Sequence, residues 1–235
     1  MIHLRRPLHH AALGTLILLS GCSHSLLDRS VEKGVIEYAL SFPDYDPDGL
    51  MSGMLPERTT LTFDKNMQVA ELSAGMGVFR TTMICDNNAR NMDYHLSILS
   101  KKLVSHLQER DMSMFTGQKG GLTILFTQQM DTIAGYPCRK AVAISSDITV
   151  PETEVWYTDR IAMNTPNWFG PFADVPGVLL RYEVVQYGMR MRLEAIAVTP
   201  GNVDPSKFAV KQDHEKVAPE VLQYELQEVL STFSL

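Results

Sequence analysis

Methionines recur in close pairs, Met51/Met54, Met112/Met114 and Met189/Met191, among 13 in the chain. Paired thioethers can hold copper(I). Their flexible, unbranched side chains also fill irregular apolar cavities. No His or Cys accompanies the pairs, and strand alternation alone puts Met189 and Met191 on one face. Lining of a core or cavity is therefore the reading adopted for them. Asp44, Asp46 and Asp48 have the spacing that opens a calcium loop. Pro47 interrupts it, and the twelfth position is Leu55 where the loop needs Glu, so the stretch reads as a solvated acidic turn. Cys85 and Cys138 both fall in strand-like stretches. An even pair suits a disulfide in an oxidising compartment; two buried free thiols are the alternative. Without a histidine nearby they make only half a zinc site. His95 and His106 sit in strand-like segments and His214 in a polar one. Gly-x-Ser-x-Gly, His-Glu-x-x-His and a Gly-rich phosphate loop do not occur. The reading is a non-enzymatic protein with no catalytic residue, cofactor or metal.

The third cysteine has the clearest chemistry. Arg5 and Arg6 precede an apolar run, Ala11 to Leu19. That is about nine residues, where a membrane-spanning helix needs roughly 20, so the run is read as the core of a signal peptide. It ends in Leu19-Ser20-Gly21-Cys22, which resembles the bacterial lipobox. The resemblance implies a lipoprotein signal peptide over 1–21, cleavage before Cys22, acylation of the Cys22 thiol, and a lipidated tether over 22–33. Two or three acyl chains anchor stably where one does not. Ser23 stands where aspartate would retain such a protein in the inner membrane. The expected address is therefore the periplasmic face of the outer membrane.

Removal of residues 1–21 leaves 214 residues (235 − 21), and losing two arginines takes the net charge from −6 to −8. This length suits one large domain or at most two; a single β-rich domain over 34–235 is expected. No basic cluster occurs, which excludes nucleic acid as a natural partner. No second long apolar run exists, so the lipid anchor at Cys22 is the predicted membrane contact.

The rest of the chain must position these residues, and its periodicity is mostly two. Ile36, Tyr38, Leu40 and Phe42 alternate with Glu37 and Ser41, as in a half-buried strand. Residues 43–58 read as a loop. Hairpins are predicted about Asp64-Lys65-Asn66, about Asp86 to Ala89, and about Gly188. In the last, Val178, Leu180, Tyr182 and Val184 share one face, and Met189, Met191 and Leu193 another. Residues 101–108 fit strand or helix. Further strands are read in "LTILFTQQ", "CRKAVAIS" and "TEVWYT". Pro219 suits the first turn of a helix, and Leu222, Leu226, Val229, Leu230 and Phe233 then follow helical spacing. About ten short strands with few helices between them predict a meandering antiparallel sheet.

Four strings, "IAGYPCRKA" from Ile133, "EVWYT" from Glu154, "GPFADVPGVLL" from Gly170 and "KFAV" from Lys207, occur in that order. Together they resemble the GLPGLI family and related lipoproteins of unknown function from Bacteroidetes-like bacteria, over roughly residues 34 to 230. The name-giving string is approximated by Asp174-Val175-Pro176-Gly177-Val178-Leu179, which keeps its Pro-Gly pair. The resemblance implies a LolA-like fold: mainly β with α (α+β), a curved antiparallel sheet forming a half-barrel, with a C-terminal amphipathic helix. No activity or catalytic residue comes with it.

The aromatic loop "NWFGPF" cannot easily bury Trp168, Phe169 and Phe172 without a partner surface. Trp156 and Tyr157 must lie on opposite faces of one strand, so one of them can line a cavity. An apolar ligand, a lipid or acyl group, is thus expected against Trp156, Trp168, Phe169, Phe172, Leu180, Met189 and Met191. The alternative is an envelope protein–protein interaction subunit whose sheet is filled by its own side chains.

Overall fold

The computed structural model describes residues 30–46, 48–49, 52–116 and 121–231. Cys22, residues 1–21, the tether as far as residue 29, and Pro47, Met51 and Phe233 lie outside the described residues.

Alternating sequence becomes strand almost throughout. In chain order these are β1 (Lys33–Ser41), β2 (Arg58–Asp64), β3 (Met67–Ala74), β4 (Phe79–Asp86), β5 (Asn91–Ile98) and β6 (Lys101–Gln108), then a short helix, α1 (Met112–Thr116). There follow β7 (Leu122–Ile133), β8 (Tyr136–Ser145), β9 (Thr153–Thr158), β10 (Val178–Gln186), β11 (Met189–Pro200), the two-residue β12 (Glu215–Lys216) and the helix α2 (Pro219–Ser231). All join one sheet in the order β12-β6-β5-β4-β3-β2-β1-β11-β10-β9-β8-β7. Every pair is antiparallel except β12 with β6. The expected class, an open, curved antiparallel sheet with a C-terminal helix, is the class observed. Residues 101–108 resolve as a strand, because Leu103, Ser105 and Leu107 all face the interior and are buried.

The connection between the outer strands requires the curvature. From β6 to β7 are ten strand spacings, about 48 Å across a flat sheet. The chain makes that passage in 13 residues (121 − 108), five of them in α1. The span from Gln108 to Leu122 is 14 Cα steps (122 − 108), and with Glu109–Asp111 and α1 helical it reaches at most about 35 Å. The sheet must therefore curl so that its two ends approach each other.

The concave face carries the core. Leu96, Leu103 and Leu107 meet Phe115 of α1 and Leu222 and Leu226 of α2. The apolar stripe predicted for α2 is what faces inward; Leu222 and Leu226 are fully buried, with Val229 and Leu230 packed beside them. Ile36, Tyr38 and Phe63 join Leu180 and Ala195 in a second cluster. Ala141, Val155 and Tyr157 form a third, covered by Phe172 and Val175 of the long β9–β10 connection.

The glycine of the Pro176-Gly177 pair has a steric reason. A Cβ added at Gly177 would overlap the Thr158 carbonyl oxygen of β9 and lie 2.9 Å from the Tyr157 ring. Only glycine lets the loop enter β10 this close to its neighbour. Gly177→Ala should lower stability by about 1–3 kcal/mol, the usual range for forced overpacking, read as a lower urea midpoint at unchanged slope.

Candidate functional site

A cavity of about 280 Å³ opens in the concave face. Its walls come from both halves of the sheet: Tyr38 and Leu40 of β1, Leu61 of β2, Ala70 and Leu72 of β3, Met83 of β4, Met92 and Tyr94 of β5, and Met189, Met191 and Leu193 of β11. Phe115 of α1, Leu230 of α2 and Phe169 and Phe172 of the β9–β10 loop complete it. None of the described residues lining it is charged. The polar atoms present are neutral ones, from Gln68, Asn167, Gln186, tyrosines and threonines. Burial raises the Tyr38 and Tyr94 hydroxyl pKa values well above the ordinary value and pushes Tyr182 up to about 12, so these stay neutral as well. Tyr38 donates to the Leu179 carbonyl (2.8 Å), which satisfies its buried hydroxyl.

The β9–β10 loop closes one end of this space, and its hold is polar. The side chain of Asn87, fully buried in the β4–β5 turn, is the hub. Its Oδ1 accepts from Gln68 Nε2 (2.8 Å) and Trp168 Nε1 (3.2 Å), and its carbonyl accepts from Thr165 Oγ1 (3.1 Å). Gln68 Nε2 also donates to the Pro166 carbonyl (2.8 Å). Next along the loop, the Asn164 amide donates to the Lys65 carbonyl (2.9 Å), and its side chain to Asn66 Oδ1 (2.6 Å). Asn167 Nδ2 then ties the loop back to the carbonyls of Val175 and Gly177 (2.8 and 2.9 Å). A strap from β9 thus reaches across β10, β11 and β1 to the turns at one end of β2–β5.

The residues singled out from sequence divide unevenly. Phe169, Phe172, Met189 and Met191 line the cavity. Trp168 is buried but serves the strap, with its indole N–H on Asn87. Leu180 is fully buried in the core cluster with Tyr38 and Ala195, behind the cavity wall. Trp156 turns to the opposite sheet face from Tyr157, since strand neighbours alternate. There Lys140 and Arg181 stand 5.9 and 5.5 Å from its ring centre. Tyr157 is held in the third core cluster and does not line the cavity either.

The disulfide expectation is corrected. Cys85 and Cys138 are free thiols buried in separate core clusters, Cys85 with Met92 and Tyr94, Cys138 with Tyr38 and Ile133. The two strand-like stretches lie in different halves of the sheet, which sequence spacing does not reveal. Burial pushes the Cys138 thiol up to about 11 and raises the Cys85 thiol pKa well above the ordinary value, so both are poor nucleophiles. Asp46 does no more than cap its own turn, accepting from the Asp48 amide (3.0 Å). Of the methionine pairs, Met54 and Met112 line the cavity along with Met189 and Met191, while Met114 packs on the first core cluster.

Sequence reading missed the contribution of β2–β5 to the walls. Its signal was present: Ala70 and Leu72, or Met92 and Tyr94, alternate like Met189 and Met191. It also missed a histidine cluster on the outer face. His95, on the opposite side of β5 from Tyr94, meets His214 edge-on with ring centres 5.0 Å apart. His95 Nε2 accepts the Lys211 amide (3.2 Å). His214 contacts Ser97 Oγ through Nε2 (3.1 Å) and Asp213 Oδ1 through Nδ1 (2.9 Å). Lys102 donates to Asp213 Oδ2 (2.6 Å). The serine–histidine–aspartate order is that of a hydrolytic relay, but these contacts lie away from the cavity and fasten residues 211–214 to the back of the sheet. Burial, with His214 and Lys211 nearby, lowers the His95 pKa, and hydrogen bonds from Lys102 and His214 lower Asp213 to about 2. A histidine neutral in the fold stabilises it above the ordinary value near 6.5 and ceases to as pH falls below that. Urea stability should therefore drop as pH falls from 7 toward 5. His95→Gln, which keeps an acceptor but cannot titrate, should flatten that drop.

No family model matches this chain, and no curated protein matches it. Solved structures similar at low scores include the following two. The crystal structure of MucB in complex with MucA(peri) aligns at a TM-score of 0.34 and 7% identity, covering 79% of this chain and 56% of that one. A putative outer membrane lipoprotein-sorting protein domain from Vibrio parahaemolyticus aligns at 0.22 and 12% identity, covering 75% of this chain and 88% of that one. This chain thus spans little more than half the length of the MucB chain. The GLPGLI likeness rests on its quoted strings alone.

Proposed function

We propose that this chain is a non-catalytic binder of an apolar ligand, a lipid or acyl group, held at the periplasmic face of the outer membrane through an acylated Cys22. The observation that carries the ligand is the wall of the cavity. A space of about 280 Å³ with no charged side chain among the described residues lining it is far larger than the roughly 10–15 Å³ a single water needs, and apolar cavities stay dry and accept apolar guests. Concave, mostly apolar sites with a few neutral polar groups are the usual form of small-molecule pockets. The uncharged wall also bears on the ligand. A carboxylate or phosphate drawn inside would be desolvated with no cation to meet it, so a charged headgroup stays at the mouth and the hydrocarbon goes in. Full-length protein purified from its membrane, delipidated and extracted for mass spectrometry should yield a stoichiometric apolar molecule, or take up a fluorescent acyl probe. Failure of both would remove this reading.

One observation favours the second reading, a subunit that binds another envelope protein. The sheet ends on β7, whose 12 residues pair on one side only, with β8. Leu125, Phe126 and Met130 on it are exposed. Unpaired strand edges with apolar side chains accept a further strand. Crosslinking in cells to one stable partner, lost with Leu125→Lys, is the result that would carry it.

A further inference from the structure

Seven non-glycine residues among those described have left-handed backbone angles. Five have an evident setting. Lys65 and Arg90 are charged residues of tight turns, each ion-paired to a glutamate. Thr165 bonds the Asn87 carbonyl, Ala134 packs on the core, and Tyr187 packs on it and donates to Gln223. The remaining two are Met76 (φ 54°) and Leu99 (φ 51°), and they are the most exposed apolar side chains of the β3–β4 and β5–β6 turns, at 102% and 83%. Glycine, asparagine or aspartate ordinarily fills such positions. Here a strained backbone holds a large aliphatic side chain fully in water, between Gly75 (φ 56°) and Gly77 (φ 88°) in the first case. The fold gains nothing from either.

The two turns are neighbours. The Leu99 amide donates to the Val78 carbonyl (3.3 Å), and Val78 is itself 49% exposed. The turn 52–54 packs against 75–77 and adds Met54, at 44% exposure, which also lines the cavity. Met54, Met76, Val78 and Leu99 therefore make one aliphatic lip, at the opposite end of β2–β5 from the strap. Its charges are largely paired. In a chain of net charge −6, residues 73–80 and 98–102 contain Arg80, Lys101 and Lys102 and no carboxylate. The carboxylates that meet the two lysines come from elsewhere, Glu225 and Asp213. Aliphatic tips with no aromatic anchor, at the rim of an apolar cavity, fit the boundary between headgroups and acyl chains of a bilayer.

We propose that this lip inserts into a bilayer surface and seats the open end of the cavity there. The contact is separate from the Cys22 anchor and does not depend on what the cavity holds. The test uses the mature chain, residues 22–235, carrying Cys22→Ser, so that neither the leader nor acylation tethers it. This protein should float with vesicles of phosphatidylcholine and phosphatidylglycerol. Met76→Gly/Leu99→Gly should lower its partition coefficient by at least about tenfold. The same variant should raise its Tm, because glycine relieves both left-handed residues; misfolding cannot then explain the loss. Ile148→Asp, at an exposed apolar site on the β8–β9 loop, should leave partitioning unchanged. No flotation of the parent, equal flotation of the glycine variant, or equal loss with Ile148→Asp would each overturn the proposal. Capture by a protein in place of vesicles would do so too.

Discussion

Asn87→Ala should destabilise the protein by about 2–3 kcal/mol and release the β9–β10 loop from the sheet. Asn87 is 1% exposed and its Oδ1 serves two donors. Gln68 keeps a partner in the Pro166 carbonyl, but Trp168 Nε1 is left buried without one. An orphaned buried donor costs about 1–3 kcal/mol, and the void left by the truncated side chain adds to it. The Asn87 Nδ2 atom already lacks a partner, so the alanine also removes one unsatisfied group, which keeps the total below the sum of the bonds. Denaturant titration measures the loss. Amide exchange separates the local part, since loop amides bonded to the β2–β3 turn, Asn164 among them, should exchange faster than those of the strands. Trp168→Phe, which deletes the same indole bond from the other side, should cost less. A double-mutant cycle should then show the two changes to be coupled.

Met191→Glu should weaken apolar ligand binding on the order of a hundredfold at neutral pH, while Met191→Leu leaves it near the parent value. Met191 lines the cavity from β11, with Arg190 and Arg192 on the other strand face, turned to Glu183. A carboxylate placed there finds no cation among the lining residues. Ligand entry would strip it of water, and a hundredfold corresponds to about 2.7 kcal/mol, within the cost of burying an unpaired polar group. The affinity should recover as pH falls, because burial raises a carboxyl pKa and the neutral acid is tolerated. A loss that ignores pH would instead indicate that the side chain simply blocks the site. Binding of a fluorescent acyl probe across pH resolves the two.

Much of the sheet was legible because alternation is a local property. The turns at Lys65-Asn66, Asp86 to Ala89 and Gly188 stand where they were read, and the helical stripe from Leu222 meets the core as its spacing requires. The site was legible only by halves. Met189 and Met191 were placed on one face by the same alternation, yet nothing local says which face of a strand is concave. That depends on the curl of the sheet, which is set by the passage from β6 to β7. Trp156 lies off the cavity for this reason, while Leu180 shares the core cluster of Tyr38 and is fully buried behind the wall. Trp168 failed for another: an aromatic residue in a loop signals burial, and its polar edge then went to a turn partner 81 residues away. The free cysteines belong with these, since their separation is a matter of sheet order. Asn87, the hub of the strap, looked like any other turn asparagine.

The strap fastens only one end of β2–β5, and this asymmetry sets how the molecule yields. Where Asn87, Gln68 and Asn164 bind, neighbouring hairpins are cross-braced and cannot spread apart. At the far end no such side-chain hub is seen among the described residues; the turns there share the bond from the Leu99 amide to the Val78 carbonyl. The strap end is thus the stiffer of the two, as in a spring clip gripped at its base.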